Sequence, residues 1–444
     1  MMNRKIQSEK IGKYLFLLCW AAYFTSYLGR LNFSSAMSSI IEDGVLSFSQ
    51  AGTVSMIYFF AYGIGQLCNG ILGDKWKPQI MVFVGLLCSG MANFLMGAVH
   101  SFPFMAILWG INGYMQSMIW PPIIRIFAEK YSDEKKLKYS VDIVSSMAAG
   151  TLMSYFLSAC AMHFFHWKAA FYLAAGILIV VSLVWIAGYG GVETAVRKQE
   201  GRLPGEAVSQ KAPKVTDAEP AEQETAVLGS RKPFLPLLLG SGLIGILFPV
   251  MIHGILKDGV TQWVPTYIYD SFDVSASFSV IVTMILPLIN LSGAYLARFF
   301  AGKHPAQEVR TSLYFFGAAM TALLGLLIWG TCAAVLSALL FAVITASMMA
   351  VNTLYVNMIP LHFEKEGRVS TVSGFLNSVA YLGSAISTFT IGVLVERAGW
   401  SVTILSWVVI TAAAFLVCFG LRKRVFTGSG KQAERTQPEW NSIR

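Results

Sequence analysis

The chain has 444 residues, of which 55% are hydrophobic and only 13% charged. A soluble protein carries about twice that charged fraction, so the composition excludes a soluble globular domain and indicates a polytopic helical membrane protein. The formal charge of +9 would suggest a nucleic-acid surface in a soluble chain, but here its placement follows the loops of one side of a membrane.

Twelve apolar runs are long enough to span, near 12–40, 50–72, 79–99, 103–127, 139–163, 168–189, 234–269, 276–299, 311–330, 333–358, 369–394 and 400–421. Lys and Arg fill the N-terminus (Arg4, Lys5, Lys10, Lys13), the turn after span two (Lys75, Lys77), the loop after span four (Lys130, Lys135, Lys136, Lys138), the turn after span eight (Lys303, Arg310) and the tail. The opposite loops hold Glu42, Asp43, Asp270 and Asp273, with Lys168 and Arg397 as exceptions. The excess of Lys and Arg on one side predicts cytoplasmic termini in a cell membrane. The six cysteines fall inside spans or, for Cys332, at the edge of one, without a CxxC pair, so neither a disulfide framework nor a metal site is expected. The first run is too long and too charged internally for a cleaved signal peptide.

Span one carries Arg30 inside AAYFTSYLGRLNFSSAM. A guanidinium in hydrocarbon costs several kcal/mol, so it survives facing a bundle interior or watery cavity, or by snorkelling near a helix end. Tyr23 and Tyr27 share its helix face. Residues 191–232 break the apolar pattern with three prolines, seven basic and seven acidic residues, and read as a disordered cytoplasmic linker. The predicted organisation is therefore a six-helix bundle over 1–190, the linker, a second bundle over 233–425 and a cytoplasmic tail over 426–444.

The halves carry an internal repeat. Trp167 before span six matches Trp400 before span twelve, and at the same offset Gly150 falls on Gly383 and Ser145 on Ser378. A further echo sets Gly70 to Lys75 after span two against Gly293 to Arg298 after span eight. Two bundles related by an axis along the membrane normal follow.

The stretch GILGDKWKP resembles the G-x-x-x-D-R/K signature of the major facilitator superfamily. The resemblance implies that Gly70 permits close helix approach and that Asp74, beside Lys75, latches one conformation; Lys77 departs from the usual Gly. Within the superfamily, four stretches resemble the organophosphate:phosphate antiporters: YFTSYLGRLNFSSAM in span one, Gly113 to Arg125 (GYMQSMIWPPIIR) in span four, Leu256 to Ile268 (LKDGVTQWVPTYI) in span seven and Ser373 to Gly383 (SGFLNSVAYLG) in span eleven. The likeness implies an all-α major facilitator fold of two pseudo-symmetric six-helix bundles. It also implies that Arg30 and Lys257 are the two anion-binding cations, Lys257 replacing the family's second Arg, and that Tyr23, Tyr27, Tyr62, Trp120 and Tyr381 line the cavity. Gln66 and Ser145 stand where some members carry Lys and His.

Elementary physics reaches the same pair of cations. Two positive groups in equivalent first helices would face each other across the midplane, where secondary transporters bind substrate. Lys257 could instead pair with Asp258 or Asp142. His253, one turn before Lys257, and Asp142 are the candidate proton sites, His253 being equally readable as a hydrogen-bonded core histidine. Asn352 and Tyr355 in span ten could bond a polyol. No HExxH, GxSxG or P-loop is present, so no enzyme, cofactor or metal is expected. The expected function is alternating-access transport of a small organic anion, a phosphate ester such as a sugar phosphate, by a monomer in the lipid bilayer. Inorganic phosphate or a proton would be the counter- or co-substrate. A sugar-phosphate sensor and a transporter of carboxylates such as uronates are the alternatives.

Overall fold

A computed structural model describes residues 6–200, 234–303, 307–363 and 369–423, apart from 7, 133–134, 136–138 and 140–141. The linker beyond Glu200 and the tail from residue 424 lie outside the described residues, as do the surroundings of Gly70 and the side chains of Asp74 and Lys75. The described residues form helices and turns only.

Eight helical stretches among the described residues are long and apolar enough to cross a membrane by length and composition. The last of them, Thr371–Leu421, is two crossings folded at Gly399. Spans one (Glu9–Glu42), four and five (Val144–Phe164) complete twelve. They fall outside that group because span one carries Arg30 and many hydroxyls, span four is broken, and span five holds four serines. Span six runs as one helix over Trp167–Glu200, so residues 191–200 are helical rather than part of a disordered linker.

Span four breaks into Phe102–Gln116 and Trp120–Lys130. Pro121 and Pro122 cannot donate to the turn before them, so the hydrogen-bond ladder is interrupted and a new helix starts with the prolines in its first turn. Span seven changes pitch instead: Ile244–Gly254 and Val260–Phe272 flank a π-helical turn, Ile255–Gly259. Span ten, Ala334–Asn352, ends in a second, Thr353–Met358.

The packing follows the repeat. Span one packs on five, two on four, three on four and three on six; seven packs on eleven, eight on ten, nine on ten and nine on twelve. Gly150 and Gly383 occupy equivalent close approaches, where a methyl group would strike the main-chain carbonyls of Phe24 and Met251 respectively. The matching tryptophans also match in bonding: Trp167 Nε1 donates to Asp43 Oδ2 at 2.7 Å, and Trp400 Nε1 to Asp270 Oδ2 at 2.6 Å. These pairs stand at the end of the molecule opposite the termini, called the far end below.

The halves meet through spans two and eleven, one and seven, and five and eight. Near the far end, Cβ atoms at Gly52 and Gly392 would collide with the main chain of Thr388 and Phe48. Ser47 Oγ and Ser49 N donate to Glu396 Oε2 at 3.1 and 2.8 Å. On the opposite wall, Tyr155 and Ala159 pack with Val280 and Met284.

Candidate functional site

Span one is held at the level of Arg30 by a buried amide network. Asn93 and Asn112 donate to the Gly29 carbonyl at 3.2 and 2.8 Å, and Gln116 donates to the Ser26 carbonyl at 2.9 Å. Asn32 donates to Asn93 Oδ1, and Ser89 to Asn112 Oδ1. Every one of these side chains is buried. Bonds made inside hydrocarbon have no water to replace them, so spans three and four fix the height of the helix that carries the cation.

Arg30 then projects into a tyrosine cage. Its Cζ lies 4.7 Å from the Tyr62 ring centroid, 5.7 Å from Tyr27 and 5.9 Å from Tyr58. Ring faces attract a desolvated cation, and the guanidinium also shares hydrogen bonds with the hydroxyls of Tyr62 and Tyr381. Tyr62 also meets Tyr381 at 5.2 Å, joining the two bundles, and shares a hydrogen bond with Gln66. Tyr23, packed 5.6 Å edge-on against Tyr27 and 4.6 Å from Trp120, forms a layer behind the cage.

Lys257 and Asp258 lie in the π-helical turn of span seven, with Lys257 Nζ 3.0 Å from Asp258 Oδ2. Consecutive residues of a π-turn are closer in direction than in an α-helix, and both side chains reach one wall. That wall belongs to a central cavity of about 180 Å³ lined by both bundles, including Arg30, Tyr27, Tyr155, Lys257, Asp258, Asn290 and Tyr381. Both predicted cations therefore line one space.

Other predicted residues lie elsewhere. His253 is fully buried, with Nδ1 2.8 Å from the Val250 carbonyl and Nε2 3.1 Å from Asn352 Oδ1, so Asn352 serves the histidine rather than the cavity. The ring nitrogen beside a carbonyl must carry hydrogen; in the neutral ring the other nitrogen then accepts from the Asn352 amide, with its nitrogen turned inward. Tyr355 packs inside the second bundle, its hydroxyl 2.6 Å from Ser312 Oγ and 3.2 Å from Cys418 Sγ. Asp142 is exposed, and its carbonyl accepts from Ser145, which in turn accepts from Trp20 Nε1. Neither Asp142 nor His253 lines the cavity. At the turn after span two, Arg125 Nη1 donates to the Trp76 carbonyl at 3.0 Å.

Several residues of the site escaped the sequence reading. Tyr58, which belongs to the cage around Arg30 rather than to the wall itself, precedes Tyr62 by one helical turn, a spacing that could have flagged it. Tyr155, whose buried hydroxyl has no hydrogen-bond partner among the described residues, and Asn290, whose Oδ1 accepts from Thr345, carry no local signal.

Comparison with known proteins agrees with the fold. The Major Facilitator Superfamily profile matches residues 19–388. A probable hexose phosphate transport protein of Chlamydia trachomatis is 24% identical over 405 residues, covering 87% of this chain and 85% of that one. The membrane sensor protein UhpC of Escherichia coli is 27% identical over 172 residues, covering 38% of this chain and 39% of its own. Among solved structures, a bacterial homolog of the human lysosomal transporter Spinster, inward-facing and unoccupied, superposes with a TM-score of 0.74 at 12% identity, covering 95% of this chain and 99% of that one. With twelve crossings, a six-plus-six repeat visible in matched contacts, a central cavity shared between the halves and a profile match over most of its length, the chain belongs to the Major Facilitator Superfamily.

Proposed function

We propose that this protein is a secondary transporter of a small organic anion, a phosphate ester of the sugar-phosphate class, working by alternating access. The observation that carries the reading is that Arg30 and Lys257, one from each bundle, line a single cavity. An anion between them relieves the repulsion of two poorly solvated cations and draws the halves together. That is the differential interaction a conformational exchange requires. Arg30, free of any carboxylate partner among the described salt bridges, offers a planar fork suited to an oxyanion. The similarity to a probable hexose phosphate transport protein over most of both chains supports the phosphate-ester class.

The distribution of Lys and Arg supports cytoplasmic termini. The far end, where the halves interlock, is then extracellular. The local similarity to UhpC keeps a sensing role as the second reading. Purified protein in liposomes separates the two: a transporter moves labelled hexose phosphate against internal phosphate, whereas a sensor binds without flux. Flux that survives the Arg30→Ala, Lys257→Ala double substitution would overturn the anion-site reading.

A further inference from the structure

Asp258 is the one acidic residue among the described residues that line the cavity. Facing it are Lys257 and His253 on its own span, Arg30 and Tyr27 on span one, and Tyr381 on span eleven; spans five, eight and ten add only Tyr155 among titratable groups of the wall. His253 is held behind the wall by Val250 and Asn352, and Asp142 lies exposed elsewhere. The cavity therefore carries two positive charges and one negative, a net +1. A phosphate monoester carries about −1.5 to −2 near neutral pH. Admitting it unchanged would leave negative charge in a space walled by tyrosine, leucine and methionine, where uncompensated charge is costly.

Resting on the organic-anion reading, we infer that Asp258 is the internal anion that the substrate displaces from Lys257, and that its carboxylate takes up one proton as it is displaced. The π-helical turn makes this exchange local. Lys257 Nζ stands 3.0 Å from Asp258 Oδ2 and lines the same space as Arg30, so a small swing transfers the ammonium from carboxylate to substrate. The proton comes from the side on which substrate enters and bonds a carboxylate oxygen of Asp258. On the other side substrate leaves, the proton follows it into water, and the Lys257–Asp258 pair re-forms. Each cycle moves one anion and one proton together. Asp258 thus couples the fluxes, and Lys257 is the switch between two anions.

The test uses full-length protein in liposomes with the membrane potential clamped to zero, and a hexose 6-phosphate and inorganic phosphate as probes. One proton per anion predicts about tenfold accumulation for each unit of pH gradient, because one unit is a tenfold ratio of proton activity. Asp258→Asn should lose that accumulation and the pH dependence of uptake, while inorganic phosphate still raises its melting temperature; Asp258→Glu should recover accumulation. A merely structural aspartate would not move the pH profile of a variant that still binds phosphate. Wild-type protein that exchanges hexose phosphate for phosphate but accumulates nothing in a pH gradient overturns the inference and leaves the transporter reading standing. So does Asp258→Asn that accumulates like wild type. If neither probe binds the wild type in an Arg30-dependent way, the reading fails, and the inference with it.

Discussion

Ser34 on span one donates its hydroxyl to the main-chain carbonyl of Gln262 on span seven at 2.6 Å, tying the equivalent first helices of the two bundles together on the far side of the cavity. Beside it, Phe48 stacks on Trp263 at 6.1 Å, again across the halves. Opening that end must break such contacts. The tightest of them are at Gly52 and Gly392, where span two meets span eleven with no room for a Cβ atom.

Gly52→Leu should therefore wedge the far end apart. A Cβ there would lie 2.5 Å from the Thr388 carbonyl oxygen, and a carbonyl on a packed helix cannot rotate aside. In a background without native cysteines, a cysteine at position 34 should become reactive to an impermeant reagent from outside the cell. Unchanged protection would place the seal elsewhere.

Arg30→Lys should weaken anion binding more than Lys257→Arg. The first replaces a forked donor by a point charge, a loss of about 2 kcal/mol for a charge-assisted hydrogen bond, or roughly thirtyfold in affinity. The second keeps a cation and adds a fork. Titration of both purified variants with a hexose phosphate decides the order.

Asn112→Ala should destabilise the protein without touching the cavity. It leaves the Gly29 carbonyl with one fewer donor and strips Ser89 of its acceptor. Hydrogen bonds between membrane helices average below about 1 kcal/mol, and a stranded buried group adds about 1–3 kcal/mol. Thermal unfolding in detergent should show a lowered midpoint, with affinity falling only if span one shifts.

His362, just beyond span ten, gives a pH signature. Its Nε2 is 2.7 Å from Glu308 Oε1, and that carboxylate raises the imidazole above its ordinary 6.5. A group whose folded value lies above its unfolded one stabilises fully below the unfolded value, and loses that contribution as pH rises through the folded one. Thermal stability should thus decline from about pH 6.5 upward, and Glu308→Gln should flatten that decline. A parallel decline in both proteins would assign it to other groups.

What was legible in the sequence follows from cost. A cation in an apolar run must face protein or water, so Arg30 and Lys257 stood out by their surroundings alone. Trp167 and Trp400 were legible because duplicated halves keep the groups that tie span ends, here to Asp43 and Asp270. Glycines 150 and 383 could be paired by offset for the same reason. By contrast, a hydrophobicity pattern cannot reveal a π-turn, because one residue of slippage leaves span seven equally apolar. So the sequence could not show that Lys257 and Asp258 share a wall. Nor could it separate Tyr355, committed to Ser312 and Cys418, from Tyr381 at the cavity. Both are tyrosines in apolar helices, and only tertiary packing decides which faces inward. The helix that runs on to Glu200 was hidden by its polarity: residues 191–200 lack an apolar face, yet many of them favour helix.

The glycine contacts between spans two and eleven bear on how the molecule tolerates change. Main chain against main chain has no rotamers, so no side-chain rearrangement can adjust this contact: it closes fully or it parts. Substrate preference can drift through the side chains of the cavity wall, which have rotamers to rearrange. The seal between the bundles cannot drift that way. Variation among working sequences should therefore concentrate at the ligand and be scarcest at Gly52 and Gly392, well away from it.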